Sequence, residues 1–124
     1  AATISGSLVS YGLLQTGDTF TLRGAIGSEI TYTFDIDVDD DPDDETTINI
    51  KSLTSNTQVG NHIAVCVNNV ETASGSGITA ASRYVDALNT IVYFTQITSG
   101  SGGNTIVDST IAAGMTLPAQ FGAV

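Results

Sequence analysis

Ile30-Thr31-Tyr32-Thr33-Phe34-Asp35-Ile36-Asp37-Val38 alternates apolar and polar residues without a break. A period of two places Ile30, Tyr32, Phe34, Ile36 and Val38 on one face and Thr, Thr, Asp, Asp on the other, the signature of a half-buried strand. Just upstream, Thr19-Phe20-Thr21-Leu22-Arg23 alternates in the same way, with Phe20 and Leu22 on one face. Thr16-Gly17-Asp18 is a turn signal before it, and Gly24-Ala25-Ile26-Gly27-Ser28 supplies the connection. The two runs predict a β-hairpin, and the rest of the chain is read outward from it.

Downstream, Asp39 to Glu45 forms an acidic loop containing Pro42, and Thr46 to Ile50 reads as a short strand. One amphipathic helix follows. Val59, Ile63, Cys66, Val67 and Val70 fall at i, i+4, i+7, i+8 and i+11, a single apolar stripe, with Asn61, Asn68, Asn69 and Glu71 away from it. Ser55 or Thr57 can cap its start, and Ser74-Gly75-Ser76-Gly77 ends it. Val and Asn are mediocre helix formers, so this helix needs a sheet beneath it. Ile78–Val85 and Thr90–Ile97 read as two further strands around a turn at Asp86–Asn89. Ser99 to Asn104 is a glycine-rich loop, and Thr105-Ile106-Val107 a final short strand. The expected class is α+β and β-rich, with antiparallel hairpins packed on a single helix.

The two ends read differently. Residues Ala1 to Gln15 mix small, polar and apolar types without a clean period, an arm or a first strand. Ile111 to Val124 carries no charge, while Pro118 and two glycines discourage a helix. The expected organisation is an N-terminal arm or strand over 1–15, one core domain over 16–109 and an apolar arm over 110–124. Apolar side chains in such arms need cover, and a neighbouring subunit would supply it. Leu8, Tyr11, Leu13, Leu14, Met115, Leu117 and Phe121 are therefore the candidate subunit contacts. On this reading, deletion of Ile111 to Val124 abolishes binding and leaves the core folded.

Composition narrows the function classes. Among 124 residues there are 13 acidic and three basic side chains, a formal net charge of -10. Binding to DNA or RNA requires several cations to displace phosphate counterions, and Arg23, Lys51 and Arg83 do not suffice. An anionic membrane would repel the chain for the same reason. One cysteine, Cys66, excludes an internal disulfide. No apolar run reaches the length of a membrane span. The start, Ala1-Ala2-Thr3-Ile4-Ser5-Gly6, lacks the cationic end and apolar stretch of a signal peptide, and fits initiator-Met removal or cleavage from something longer.

The motifs read blandly. Asp35 to Glu45 has the D-x-D-x-D spacing of calcium loops, but the sixth and twelfth positions of an EF-hand would be Asp40 and Thr46 rather than Gly and Glu. A solvated acidic hairpin tip is the expectation. His62 and Cys66 make an incomplete zinc set, read as a helix-flank histidine and a core cysteine. No phosphate loop follows the glycines at 99–104, and the carboxylates crowd one loop instead of facing each other across a pocket. No cofactor, metal or catalytic constellation is expected.

The ordered elements resemble a small α+β domain recurrent in tailed-phage structural proteins. The residues that carry the resemblance are Gly17-Asp18-Thr19-Phe20-Thr21-Leu22, Ile30-Thr31-Tyr32-Thr33-Phe34, Asn56-Thr57 leading to Val67-Asn68-Asn69, Ile78-Thr79-Ala80, Asn89 to Phe94, and Gly103-Asn104-Thr105-Ile106. The match covers about Thr16 to Val107 in order and spacing. It implies a virion component, and a chain with one compact domain looks like a capsid decoration or cement protein. Such a protein sits on the outer surface of the capsid, binds the major capsid protein and forms a dimer or trimer. The alternatives are a tail, neck or fibre component and a calcium- or carbohydrate-dependent adhesion module.

Overall fold

The computed structural model describes residues 3–24, 29–39, 46–86, 89–97 and 105–121. The fold is α+β and strand-rich, with one helix and two mainly antiparallel sheets. The strands are β1 (Thr3–Leu8), β2 (Thr19–Arg23), β3 (Glu29–Asp35), β4 (Thr47–Asn49), β5 (Ile78–Asp86), β6 (Asn89–Gln96), β7 (Asp108–Ser109) and β8 (Met115–Thr116). Helix α1 spans Asn56–Ser74. The first sheet has the order β5-β6-β1-β8 and the second β4-β3-β2-β7.

Both expected hairpins form. In β2–β3, Phe20 pairs with Tyr32 and Leu22 with Ile30. In β5–β6, Ile78 pairs with Gln96 and Ala80 with Phe94. Inward side chains of the two sheets meet through Phe20, whose ring lies 5.1 Å from Tyr32, 5.8 Å from Phe34 and 5.7 Å from Phe94. Stacked and tilted contacts of this kind add to the stabilisation from area burial. Gln96, fully buried on β6, ties the layers at one end: its amide nitrogen donates to the Arg23 carbonyl at 2.9 Å and to Thr105 Oγ1 at 2.8 Å.

The helix is built as its stripe requires. Ser55 Oγ accepts the Gln58 N–H at 3.1 Å, and Gln58 Oε1 accepts the Thr54 N–H at 2.8 Å, a reciprocal cap. Gly75 closes the last turn in the left-handed region at φ 69°, its N–H on the Glu71 carbonyl. Val59, Ile63, Cys66, Val67 and Val70 are all buried. His62, expected on the flank, is buried as well. A side chain at Gly60 would meet Thr90 Cγ2 at 2.6 Å, so glycine there lets the helix lie close on β6.

At the N-terminal end the described residues form a first strand and no arm, and at the C-terminal end the structure corrects the expected arm. β1 is an interior strand, paired with β6 along its whole length and with β8 on the other side. Ile4, Gly6 and Leu8 point inward, and because the middle residue is glycine the apolar alternation is hidden. At Gly6, the terminal carbons of Met115 and Leu117 fill the space a side chain would take. The C-terminal stretch is likewise part of the body: Met115 and Phe121 are buried, and backbone bonds join Val107 to Ala119 and Phe121 to Thr105. One core thus contains Ile4, Leu8, Leu14, Met115 and Phe121 together with the hairpin residues, across the boundaries expected at 15/16 and 109/110. Thr105–Val107 is not a ladder strand: Ile106 makes an isolated bridge to Gln120, and the residues that pair with β2 are Asp108 and Ser109.

A further correction concerns β3, which stops at Asp35 although the alternation runs on to Val38. The Ile36 N–H is taken by Thr16 Oγ1 at 3.0 Å and the Asp37 N–H by Asp35 Oδ1 at 2.9 Å. Side-chain acceptors of this kind draw the backbone away from a ladder. Ile36 and Val38 are exposed in consequence.

Tyr32 carries an untested cost. Its hydroxyl is buried with no hydrogen-bond partner among the described residues, and burial, with the nearby Cys66 and Glu71, holds its proton far more firmly than in water. Removing a buried, unsatisfied hydroxyl is close to neutral or stabilising. Tyr32→Phe is expected to leave the thermal midpoint unchanged or to raise it, by up to about 1 kcal/mol of stability. A loss of more than that in a denaturant melt would show that the hydroxyl is bonded.

Candidate docking surface

The seven residues expected at a subunit interface divide sharply. Leu8, Leu14, Met115 and Phe121 are buried in the chain's own core, and Leu117 and Tyr11 are half-buried against it. Only Leu13 stands out, 53% exposed. The shelter sought for the ends from another chain is provided from within.

Other apolar residues form the surface instead. At one end of the first sheet, Tyr84, Thr90, Leu8 and Met115 lie in one row across β5, β6, β1 and β8. Beyond this row β5 is irregular in register at Val85, and the chain bends at Val9. A 3-10 turn, Tyr11–Leu13, follows Val9, and Asn56 at the start of α1 pins it: Asn56 Oδ1 accepts the Tyr11 N–H at 2.8 Å and its amide donates to the Val9 carbonyl at 3.1 Å. Gly114 holds the same loop from below, its carbonyl accepting the N–H groups of Val9 and Ser10 at 2.9 and 3.1 Å. Next to the turn is a cleft of about 160 Å³ lined by Tyr11, Leu14, Ile36, Ile50, Lys51 and Leu53. Val38 borders it, since its carbonyl accepts the Lys51 N–H.

Val9, Leu13, Ile36, Val38, Tyr84 and Val85, all exposed, therefore gather at one end of the molecule. The remaining large exposed apolar residues among those described, Val65, Ile97 and Ile106, lie on the helix and toward the opposite end. A single exposed leucine signifies little, but a cluster on one end is what association buries. Ile36, Val38, Tyr84 and Val85 were not recognised from sequence because period two assigned the first pair to the core and the second pair to an ordinary strand.

Charge is distributed unevenly as well. Both ion pairs among the described residues belong to Arg23, which meets Glu29 at 3.3 Å and Asp108 at 2.9 Å at the far end of β2. The Asp108 contact holds the guanidinium proton more firmly still. Lys51 beside the cleft and Arg83 beside Tyr84 make no ion pair with a described residue.

The remaining motifs are placed only in part. Residues 40–45 of the acidic run and 99–104 of the glycine-rich loop lie outside the described residues. Asp35 and Asp37 are engaged with Thr16 and with the backbone, and no three described His, Cys, Asp or Glu side chains are placed to share a metal ion. Cys66 is buried, and burial pushes its thiol up to about 11, so it is protonated at neutral pH and inert as a nucleophile. No helix among the described residues is long and apolar enough to cross a membrane.

Comparison with known protein families, curated proteins and solved structures finds no match to the chain.

Proposed function

We propose that this chain is a virion structural protein, a capsid decoration or cement protein that binds the major capsid protein on the outer surface of the capsid as a dimer or trimer. The gathering of Val9, Leu13, Ile36, Val38, Tyr84 and Val85 at one end carries the reading, because burial of such a surface against another protein is its most favourable fate. The virion setting rests on the sequence resemblance to tailed-phage structural domains. The charge is compatible with it: a shell exterior presents no phosphate, so a chain of net charge -10 is tolerated there. Many copies on one shell add weak contacts into strong retention.

Leu13→Asp is the test. Leu13 projects from the 3-10 turn and is mostly exposed, so the substitution is expected to leave the melting curve within about 0.5 kcal/mol of the parent. Occupancy on tailed-phage shells stripped of their decoration is expected to fall at least about tenfold in apparent affinity, as for a contact worth more than 1 kcal/mol. Micrographs of the labelled parent chain should show many copies over the shell. Equal binding by parent and variant, or binding only along the tail axis, would overturn the proposal.

A further inference from the structure

We infer that the open edge of β5 at Ser82 and Tyr84 receives an extended segment of a partner chain, in which an acidic residue is flanked by two apolar ones. The inference goes beyond the virion reading and does not require it.

The backbone geometry carries it. The Gly77 carbonyl accepts the Ile97 N–H at 2.8 Å, so in the β5–β6 ladder the odd-numbered residues of β5 face β6 and the even-numbered ones face outward. The outward row is Ile78, Ala80, Ser82 and Tyr84. Its first two members are guarded by side chains. Ser76 Oγ lies 3.3 Å from the Ile78 N–H nitrogen and 3.4 Å from the Ile78 carbonyl oxygen. The Asn68 amide grips Ala80 on both sides, accepting its N–H at 2.8 Å and donating to its carbonyl at 2.9 Å. Asn68 thus does for Ala80 what the next strand of a sheet would do. At Ser82 and Tyr84 the guarding stops. Asn61 bonds the Ser82 hydroxyl, and no described residue bonds the outward N–H or carbonyl of either position.

An unguarded edge invites another strand. Four backbone hydrogen bonds are on offer across two residues. The side chains beside them specify the guest. Val65 sits on α1 between Asn61 and Asn68, the residues that reach Ser82 and Ala80, and is 42% exposed. With Tyr84, it lines the helix side of the open edge. Arg83 points to the other face, without an ion pair to a described residue. Residues of an added antiparallel strand lie opposite their hosts on the same face. The guest residues opposite Ser82 and Tyr84 are therefore apolar, and the one opposite Arg83 is acidic. A second copy of β5 fits poorly: pairing through Ser82 and Tyr84 about a two-fold sets Arg83 against its own copy, and like charges directly opposite destabilise a sheet.

The test uses the full chain and a capped peptide, acetyl-Thr-Val-Glu-Val-Thr-amide, titrated into the millimolar range by NMR. Backbone shifts are expected at Ser82 to Val85 and at Val65, with slowed exchange of the Ser82 and Tyr84 amides. Replacing the central Glu of the peptide by Lys is expected to weaken binding about fivefold, and Arg83→Glu to reverse that preference. Tyr84→Pro removes an outward N–H that serves no internal ladder, so the chain stays folded and the response is lost. The inference is overturned by shifts elsewhere or none, by equal binding of the two peptides, by an unaltered response in the Tyr84→Pro chain, or by amides of Ser82 and Tyr84 already protected through self-association. Tyr84 also belongs to the exposed apolar end, so attachment to shells is scored separately, through Leu13→Asp on the turn at the far side of that end.

Discussion

A chain ending before Ile111 is expected to lose its cooperative fold. The C-terminal stretch delivers Met115 and Phe121 to the core and lays Leu117 against it. It also supplies acceptors for the Val107 and Ser10 backbones and a donor to Thr105. Deleting a buried methionine side chain costs about 2–5 kcal/mol and a phenylalanine about 3–5 kcal/mol. Their sum rivals the whole stability of a small domain, about 5–15 kcal/mol. Loss of the stretch also strips β1 of its β8 partner and uncovers the faces of Leu8 and Gly6. Circular dichroism should show no cooperative melt, and Phe121→Ala alone should lower stability by about 3–5 kcal/mol. A truncated chain with a sharp transition near that of the parent would mean that the stretch is peripheral after all. The outcome also governs how attachment to a shell is tested: truncation destroys the binding protein itself, so only substitutions on the exposed end, such as Leu13→Asp, separate docking from folding.

The contrast between the ends and the middle shows what the sequence makes legible. Hairpin β2–β3 could be read because each inward position holds an aromatic or aliphatic residue, Phe20, Leu22, Tyr32 and Phe34. Helix α1 could be read because Val59, Ile63, Cys66, Val67 and Val70 keep one stripe and because Ser55 and Gly75 mark its ends. β1 could be read only as an arm or a first strand because Gly6 occupies its central inward position, where the side chains of Met115 and Leu117 do the filling. Two-residue strands such as β7 and β8 have no period at all; pairing with β2 and β1 alone defines them. At Ile36 and Val38 the error ran the other way. The alternation outlasted the strand, because Thr16, 20 residues distant in sequence, captures the Ile36 N–H. The exposed end is made from those failures of pattern, residues that look like core and are not. The Asn68 grip on Ala80 was likewise invisible, since a mid-helix asparagine reads as a solvent face until the edge of β5 is placed beside it.

Gly114→Ala is expected to be the most damaging glycine-to-alanine change among the described residues. Gly114 adopts φ +97°, where any residue with a side chain is strained. A Cβ there would also collide with the Ser10 carbonyl oxygen and crowd Leu13 Cβ and the Leu14 nitrogen at 3.3 and 3.4 Å. Ser10 has little freedom to retreat, because its N–H and that of Val9 are both bonded to the Gly114 carbonyl. Strain at such a backbone costs about 1–3 kcal/mol, and the collision adds to it. A total of about 3 kcal/mol or more is expected in a denaturant melt. Two other glycines calibrate the effect. Gly17, at φ +95° with open space around it, isolates the backbone term, so Gly17→Ala should cost about 1–2 kcal/mol. Gly12 has neither a positive φ nor a neighbour within 4 Å, so Gly12→Ala should change stability by less than about 0.5 kcal/mol. Equal losses at 114 and 17 would show that the collision is relieved by movement of the 9–14 loop. That movement would itself be informative, because the loop carries Val9 and Leu13. Where the Gly114→Ala chain remains folded, it should then bind shells more weakly than the Gly17→Ala chain of equal stability, since only the former shifts the surface that docks.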